Sequence, residues 1–505
     1  MATYKLAVII ENQSKDGDFL LHTQTPPPKF DDKEYDSYLD PDLWDLPSAE
    51  LTPLDQTRVP IRAGGDIDLR LFDVDSALEK VLEQVGCGSG EKWKWDFRKY
   101  VEEASFGPGP PVNTAFVVVK MAPDGRSFPD FCMWMCFESC MKWLLDAEPG
   151  SGRIGPLVVV GYLNDLKQAP KWKMPPTLRF QEYPPGVVVA PMGSRTLKPF
   201  TTTNLVVFAP GHDAVGDLGA VECIATGEAL ILDPGCCSKY HKELEQVIAS
   251  LPRKLIVFVT HHHHDHVDGL SVVQKFNPDA ILLAHENTMR RIGKGDWSRS
   301  YTPVSGGEVI SIGGRKLNVI SALGHTDGHM GLYDLKTHSL IVGDHCVGQG
   351  SAVLDSKSGG NMSDYFETTY RFLDIAPSVL IPMHGRLNLW PKNMLCGYLK
   401  NRRHREASIL KAIEGGAQTL FDITSRAYAD VDKKLWIPAS SNVKLHVEHL
   451  AQQNKLPPEF SMQKYLQSCG VWFYLQWLWA YLGPKKVAGV TMAGIAASSV
   501  LYKSL

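Results

Sequence analysis

The sequence predicts a layered α/β protein, and two observations lead to this fold class. From about residue 186 onward, short apolar strands alternate with helix-like stretches, such as 242–251 followed by Leu255–Val259. Five histidines and Asp265 then fill positions 261–266, directly after that apolar strand. Strands this apolar are buried on both faces, and α/β sheets bind ligands at their carboxyl ends. We therefore predict a metal site at the mouth of a sheet, with a solvated His-rich tract as the alternative.

Composition limits the classes of protein that remain. The 505 residues can form several domains, and 44% hydrophobic with 21% charged residues is typical of a folded globular protein. A net charge of -4 excludes strong overall attraction to nucleic acid or anionic membranes, although a local basic groove stays open. The ten cysteines show no paired framework and the first residues no secretory signal, so we expect an intracellular, cytoplasmic protein.

Three of these cysteines recur at helical spacing. Cys132, Cys136 and Cys140 stand four residues apart among apolar neighbours. This spacing predicts one packed face of a helix, with a metal or redox site as the alternative.

Four regions are predicted along the chain. The first, 1–185, mixes strands with one clear helix, and the second, 186–390, is the α/β domain. The third, 391–458, is helix-rich, and the fourth, 459–505, is an apolar tail.

The first region resembles a Nudix fold, in which a Trp-x-Leu-Pro turn precedes a helix with several glutamates. The turn corresponds to Trp44-Asp45-Leu46-Pro47, and the helix ends at Gly86. Of the acidic residues that would hold Mg²⁺, only Glu83 remains, and Lys80 replaces a glutamate. One carboxylate beside a lysine is a poor magnesium site. We predict a Nudix-like α+β domain that is not catalytic, with an unrelated α+β domain as the alternative.

The tail carries two apolar runs, 471–482 and 487–502, divided by Gly-Pro-Lys-Lys. The second run is shorter than the roughly 20 residues that cross a bilayer. The aromatic first run and the lysines predict an interfacial helix with a short anchor, which would tether the protein to an organelle membrane through 471–502. A helix docked on the protein's own surface is the alternative.

Further residues that can bind metal follow the histidine tract in the α/β domain. They occur as Gly324-His325-Thr326-Asp327, Gly343-Asp344-His345 and Met383-His384-Gly385. With the tract and the strand-terminal Asp233, they match in order the motifs of the metallo-β-lactamase superfamily. That resemblance implies an αββα sandwich and a hydrolase with two zinc ions.

The resemblance also implies a role for each residue. The first metal site would consist of His261, His263 and His325. The second would consist of Asp265, His266 and His384, with Asp344 bridging the two sites and Asp233 as a structural partner. Asp265 would also act as the catalytic residue, by orienting the nucleophile and passing a proton to the leaving group. Alternation in an extended stretch turns His262 and His264 away, while His329 and His345 are expected to be structural partners.

The order of domains resembles the β-lactamase-like protein 2 group, which couples this domain to a small C-terminal winged helix. This resemblance rests on two segments. One is 360–365, just before the last predicted ligand, and the other is the helix that begins with Arg402-Arg403-His404-Arg405. The group implies two substrate classes, single-stranded RNA and acyl thioesters. Arg402, Arg403 and Arg405 are candidate phosphate contacts, with a solvated helix face as the alternative.

Two other functions stay open on sequence grounds. One is a glyoxalase II-like thioesterase, and the other is a membrane-tethered binding or scaffold protein with a vestigial metal site. An oligomer is compatible with the sequence as well.

Overall fold

The computed structural model describes residues 2–55, 67–87, 93–122, 128–146, 148–166, 172–209 and 222–483. These residues divide into two compact units. The first unit comprises Met1–Ala322, Gly328–Ser351 and Tyr370–Cys396. The second unit comprises Leu323–Asp327, Ala352–Thr369 and Gly397–Leu505.

The first unit begins with an eight-stranded mixed sheet, the N-terminal sheet. Its strands are β1 (Thr3–Asn12), β2 (Asp18–Thr23), β3 (Leu43–Asp45), β4 (Ser48–Glu50), β5 (Trp95–Val101), β6 (Val112–Met121), β7 (Cys132–Cys136) and β8 (Arg153–Ile154). Its helices are α1 (Val74–Gln84), α2 (Phe137–Asp146), α3 (Pro156–Val158) and α4 (Asn164–Leu166), with a π-helical turn at Val159–Leu163. The order is β5-β6-β1-β2-β3-β8, and β1 runs parallel to β6.

Both faces of the N-terminal sheet are covered. Leu6 and Val8 of β1 pack with α1, whereas Ala7 and Ile9 pack with α2 and the helical turns that follow β8. A strand buried on both faces is apolar at every position, which explains the unbroken run in β1. The predicted α1 helix is confirmed and Glu83 on it is exposed, while the resemblance to a Nudix fold stays a prediction.

The prediction that Cys132, Cys136 and Cys140 share one helix face was wrong. Cys132–Cys136 is strand β7, which pairs antiparallel with β2, and α2 begins only at Phe137. Spacing of four residues is helical only when the backbone is a helix, and here pairing with β2 overrides the local pattern. Cys140 alone lies in a helix, where it is fully buried.

The remainder of the first unit contains two more sheets. The second sheet comprises β9 (Gln181–Glu182), β10 (Val187–Gly193), β11 (Thr202–Phe208), β13 (Ala229–Leu232), β14 (Leu255–Val259), β15 (Ile281–Ala284) and β16 (Thr302–Pro303). The third comprises β12 (Ala225–Gly227), β17 (Val309–Ile312), β18 (Arg315–Ser321), β19 (Met330–Asp334), β20 (Ser339–Gly343) and β21 (Val379–Pro382). Helices along this stretch are α5 (His241–Ser250), α6 (His264–Val267), α7 (Leu270–Phe276), α8 (Glu286–Arg291) and α9 (Met362–Ile375).

These two sheets pack face to face. Val189 and Phe258 of the second sheet share a buried cluster with Leu317 and Leu332 of the third. The other face of the second sheet packs against α5 and α7, for example through Val257. Alternate residues of β14 thus pack on opposite faces of the second sheet, one against the third sheet and the next against the helices. The predicted αββα sandwich is confirmed.

The second unit contains most of the C-terminal helices. They are α10 (Pro391–Glu414), α11 (Leu420–Ala427), α12 (Trp436–Gln452), α13 (Met462–Ser468) and α14 (Val471–Leu482). The part from 419 onward has a core in which Ile423, Val443 and Val447 are fully buried. Thr419 caps α11 by accepting from the Asp422 N–H, and its own hydroxyl donates to the Asp422 carboxylate.

Part of the predicted apolar tail belongs to this core. Tyr465 of α13 and Phe473 of α14 are each 1% exposed. The run 471–482 forms α14, whereas 487–502 lies outside the described residues. Over the described ranges up to residue 483, the structure contains no helix with the length and hydropathy of a membrane span.

Candidate metal centre

The histidine tract follows β14, a central strand of the second sheet. The chain stays extended through His263, and α6 begins at His264. Two glycines let the turn pack tightly: a Cβ on Gly235 would lie 1.9 Å from the Asp265 carbonyl oxygen, and one on Gly269 1.8 Å from that of Pro234. No side chain fits at either position, so the glycines fix the path of the chain beside the tract.

His261 and His263 turn toward each other, as alternation in an extended stretch predicts. His261 Nε2 and His263 Nδ1 lie 2.9 Å apart. The intervening His262 is partly buried. His264, which follows the pair, has a side chain that is 77% exposed. The two side chains that the sequence pairs are therefore the two that meet.

A second cluster of nitrogen and oxygen atoms combines Asp265, His266, Asp344 and His384, which come from three separate parts of the chain. His384 Nε2 lies 3.3 Å from a carboxylate oxygen of Asp265 and 3.3 Å from one of Asp344. His266 Nε2 lies 3.5 Å from Asp344 and 3.8 Å from Asp265. These separations are long for charged hydrogen bonds.

The outward-facing nitrogens of these imidazoles have fixed partners. His266 Nδ1 is 2.8 Å from an Asp233 carboxylate oxygen, and His384 Nδ1 is 2.8 Å from the Thr202 carbonyl oxygen. Such bonds fix the tautomer and the ring plane, and they direct Nε2 toward the carboxylates of the cluster.

Asp233 also orders the start of the tract. Its oxygens accept from the Thr260 N–H at 2.7 Å and from the Thr260 hydroxyl at 2.6 Å. The Thr260 oxygen lies 3.0 Å from His261 Nδ1, so one carboxylate orients His266 directly and His261 through Thr260. Sequence reasoning identified Asp233 but missed Thr260, which the position just before the tract could have indicated. It also missed Thr202, for which the sequence carries no signal.

Burial and charge shift the pKa values of this cluster in opposite directions. Burial alone would raise the pKa of Asp265, but the imidazoles of His266 and His384 outweigh it and lower that pKa. Burial would lower the pKa of His384, yet Asp344 and Asp265 raise it to about 10. Protons therefore balance the charge of the carboxylates in this cluster. A divalent cation would displace them.

His329 and His345 flank predicted ligands and are both fully buried. His329 Nδ1 lies 2.9 Å from the Ala322 carbonyl oxygen, and the Asp344 N–H donates to His329 Nε2 at 3.0 Å. Burial chiefly lowers the pKa of His329 to about 4, so it is neutral and holds the Asp344 backbone. The His345 ring packs edge-on against Phe372.

His325 is buried and lies in the loop Leu323–Asp327 of the second unit. Its place in the first metal site stays a prediction.

The three arginines that were predicted to contact phosphate all lie in the second unit. Arg402 is 5% exposed, stacks over Tyr365 and donates to the Ala352 carbonyl oxygen at 2.6 Å. Arg405 donates to the Ala427 carbonyl oxygen and stacks over Tyr428. Arg403 is exposed. For Arg402 this is a correction, because a buried guanidinium with internal partners is a structural residue rather than a phosphate contact.

The residues of the second cluster fit a divalent metal ion. Ligands about 2.0–2.2 Å from a tetrahedral zinc lie about 3.3–3.6 Å from one another, which is the separation of His384 Nε2 from both carboxylates. The buried His266 Nε2 has no hydrogen-bond partner within the described chain. Imidazole and carboxylate together suit zinc and similar metals.

Comparison with known proteins defines the class. Residues 219–384 match the model of the metallo-beta-lactamase superfamily, and residues 419–456 match that of the beta-lactamase associated winged helix domain. Residues 219–384 therefore form a metallo-β-lactamase domain and residues 419–456 a winged-helix domain, as predicted, and proteins of this superfamily are typically metal-dependent hydrolases.

Individual relatives include a "Beta-lactamase-like protein 2 homolog" of Caenorhabditis elegans, which is 25% identical over 234 residues, covering 45% of this chain and 76% of the relative. A "Hydroxyacylglutathione hydrolase" of Synechococcus sp. (strain JA-3-3Ab) is 30% identical over 24% of this chain and 44% of its own length. An "Atrochrysone carboxyl ACP thioesterase dmxR1" of Cryptosporiopsis sp. (strain 8999) is 23% identical over 31% of this chain and 45% of its own length.

Proposed function

We propose that the chain is an acyl thioester hydrolase that works with two divalent ions, most simply zinc. One observation carries the proposal: His384 Nε2 lies 3.3 Å from carboxylate oxygens of both Asp265 and Asp344, and Asp265 lies in the turn that follows the carboxyl end of β14. The names of the thioesterase and of the hydroxyacylglutathione hydrolase support a thioester as the substrate class.

Each predicted ligand would have a defined place. His261 and His263, with His325, would hold one ion. Asp265, His266 and His384 would hold the other, and Asp344 would bridge them. When bound, the ions would supply a water molecule acidic enough to attack at neutral pH and a positive charge beside the developing oxyanion.

Asp265 would transfer a proton from the attacking water to the leaving thiolate. One of its carboxylate oxygens would bind an ion, and the other could orient the water and accept a proton as the water oxygen bonds to the thioester carbonyl carbon. The carbon–sulfur bond breaks in the second step, and Asp265 passes the proton to the departing thiolate. The products are one carboxylic acid and one thiol.

Cleavage of single-stranded RNA is the competing function. The basic helix gives this function little support. Arg402 is buried, and Arg405 is hydrogen-bonded to a carbonyl oxygen of the second unit.

The test compares substrates on the purified 505-residue chain after metal analysis. We expect close to two divalent ions per chain and turnover of an acyl-CoA or of lactoylglutathione. Asp265→Ala should lower kcat at least a thousandfold, whereas His264→Ala, which changes an exposed histidine of the same tract, should leave it within about twofold.

Fewer than one ion per chain would refute the metal-dependent mechanism. Cleavage of a single-stranded RNA oligonucleotide that is lost in Asp265→Ala, without thioester turnover, would replace the thioester proposal by the RNA function.

A further inference from the structure

Away from the metal centre, the first unit contains a cavity of about 650 Å³. It lies between the N-terminal sheet and β10, and we call it the sheet cavity. Small-molecule sites typically measure about 300–1,000 Å³. Its apolar lining comes from β5, β6, the helical turns after β8 and the segment before β9, and includes Val101, Phe116, Leu157, Val160, Trp172 and Met174.

The sheet cavity is separate from the metal centre. Val188, near the start of β10, and Ala209, just after β11, line it. Thr202, at the opposite end of β11, is the residue whose carbonyl oxygen partners His384. With a rise of about 3.3 Å per residue, the length of β11 places these ends roughly 20 Å apart.

The carboxylates in the lining are already partnered. Glu103 accepts from Arg386 at 2.6 Å, and Glu182 accepts from the Gly186 N–H at 2.9 Å. Glu102 pairs with Arg179. Two of the three acids are thus neutralised by an arginine, and Glu182 has a backbone partner.

Two of the three lysines in the lining, unlike Glu102 and Glu103, have no oppositely charged partner among the described residues. Lys99 donates to Asp165 at 2.8 Å, but in the described part of the chain Lys5 and Lys173 form no ion pair. Lys5 is partly buried on β1 and acts electrostatically on the buried Asp45, whose oxygens accept backbone N–H groups of Leu46, Leu157 and Val158. The cavity therefore combines apolar walls with two lysines, Lys5 and Lys173, that have no direct carboxylate partner in the described residues.

We propose that the sheet cavity binds a small amphipathic anion. Its aliphatic or aromatic body would contact Phe116, Leu157 and Val160, and its single carboxylate or phosphate would lie beside the Lys5 ammonium. A charge-assisted contact at a partly buried lysine favours an anion, and the apolar walls favour an extended hydrocarbon body. The proposal does not depend on the reaction at the metal centre.

The experiment is calorimetric titration of the full chain with decanoate, decyl phosphate and decanol, each below its aggregation concentration. We expect one anion per chain. Lys5→Met, which keeps the hydrocarbon stem, should weaken decanoate at least tenfold, about 1.4 kcal/mol, and leave decanol unchanged. Lys5→Arg should retain the anion, and Lys33→Met, at an exposed lysine outside the cavity, should match wild type. The relative affinities of decanoate and decyl phosphate distinguish a carboxylate from a phosphate ligand.

Val160→Trp provides the second test, because an indole would occupy part of the apolar space that the hydrocarbon body needs. It should weaken the anions and decanol by a similar factor while thermal unfolding stays cooperative. The proposal is overturned by the absence of saturable binding, by binding that Val160→Trp leaves unchanged, or by equal decanoate affinity in wild type and Lys5→Met.

Discussion

Asp233 shapes the candidate metal centre through other residues. Its two oxygens accept from the Thr260 backbone and hydroxyl, and one of them also contacts His266 Nδ1. The carboxyl is 1% exposed, so water cannot replace these bonds. Partners of this kind set the orientation and basicity of a metal-binding imidazole.

Replacing Asp233 by Asn should therefore lower metal affinity while the proposed ligands all remain. An amide can place an N–H where His266 and Thr260 need an acceptor, and the His266 ring would lose its orientation. We expect zinc affinity, measured by competition with a chromophoric chelator, to fall roughly 10–100-fold. Asp279→Asn, at an exposed position, is the matched control. Unchanged affinity in Asp233→Asn would show that Asp233 does not order the site.

Glu406, partly buried in the second unit, is another carboxylate with imidazole partners. One of its oxygens lies 3.0 Å from His446 Nδ1 and 2.7 Å from His449 Nδ1. Burial would raise the pKa of Glu406, but these two hydrogen bonds outweigh it and lower the pKa to about 2.

The stabilisation from Glu406 should depend on pH in a defined direction. Because its pKa is lower in the folded state, its contribution is complete above about pH 4.5 and is lost as the pH falls toward 2. We expect Glu406→Gln to reduce the free energy of unfolding by about 1–3 kcal/mol at pH 6 and by less at pH 4, in urea titrations. Glu414→Gln, exposed on the same helix, should have no effect at either pH. A loss that is as large at pH 4 as at pH 6 would contradict this account.

At the scale of an element, α14 has two dissimilar faces. Phe473 is 1% exposed in the core of the second unit, and Trp477 Nε1 donates to the Lys433 carbonyl oxygen at 2.7 Å. On the outer side, Trp472 and Trp479, one heptad apart, are 66% and 55% exposed. Exposed aromatic side chains in one patch mark an interaction surface, and tryptophan favours the boundary between lipid and water.

We propose that this outer face of α14 contacts a lipid surface. Wild type should sediment with vesicles of phosphatidylcholine and phosphatidylserine, and Trp472→Ser combined with Trp479→Ser should reduce the bound fraction several-fold. Phe131→Ser, at an exposed aromatic residue of the first unit, is the control. Wild type that stays wholly in the supernatant would end the proposal. The test must keep 459–482, since Tyr465 and Phe473 belong to the core.

At the scale of the whole molecule, the N-terminal region braces the loop that carries His384. Arg386, two residues later, donates to Glu103 at 2.6 and 2.8 Å and to the Pro110 carbonyl oxygen at 2.7 Å. Glu103 also accepts from the Val112 N–H at 2.6 Å. The first region of the chain therefore positions part of the centre.

Loss of this brace should affect turnover more than metal content. We expect Glu103→Gln to lower kcat about tenfold, because the His384 loop would lose its charged anchor, while the ions per chain stay as in wild type. Glu138→Gln, exposed in the same region, should be neutral. Equal kcat for Glu103→Gln and wild type would mean that the contact holds the fold without tuning the centre.

The sequence predicts those parts of the fold and site that depend on short stretches of chain. Continuous apolar runs identify β13 and β14, and alternation in the tract identifies the pair His261 and His263. Contacts between distant residues leave no local trace, so the bond from Arg386 to Glu103 could not be predicted. The burial of Arg402 was missed for the same reason, since a basic run looks alike whether it faces water or an aromatic ring.

The parallel pairing of β1 with β6 has a consequence for how the chain is made. Thr3 pairs with Val112 and Asn12 with Met121, so during synthesis one edge of β1 has no partner until about a hundred further residues have been made. At about 5–20 residues per second, that wait lasts roughly 5–20 seconds. During it, one of the most apolar strands of the chain has an open edge, and nascent-chain chaperones that cover this edge would raise the yield of folded protein.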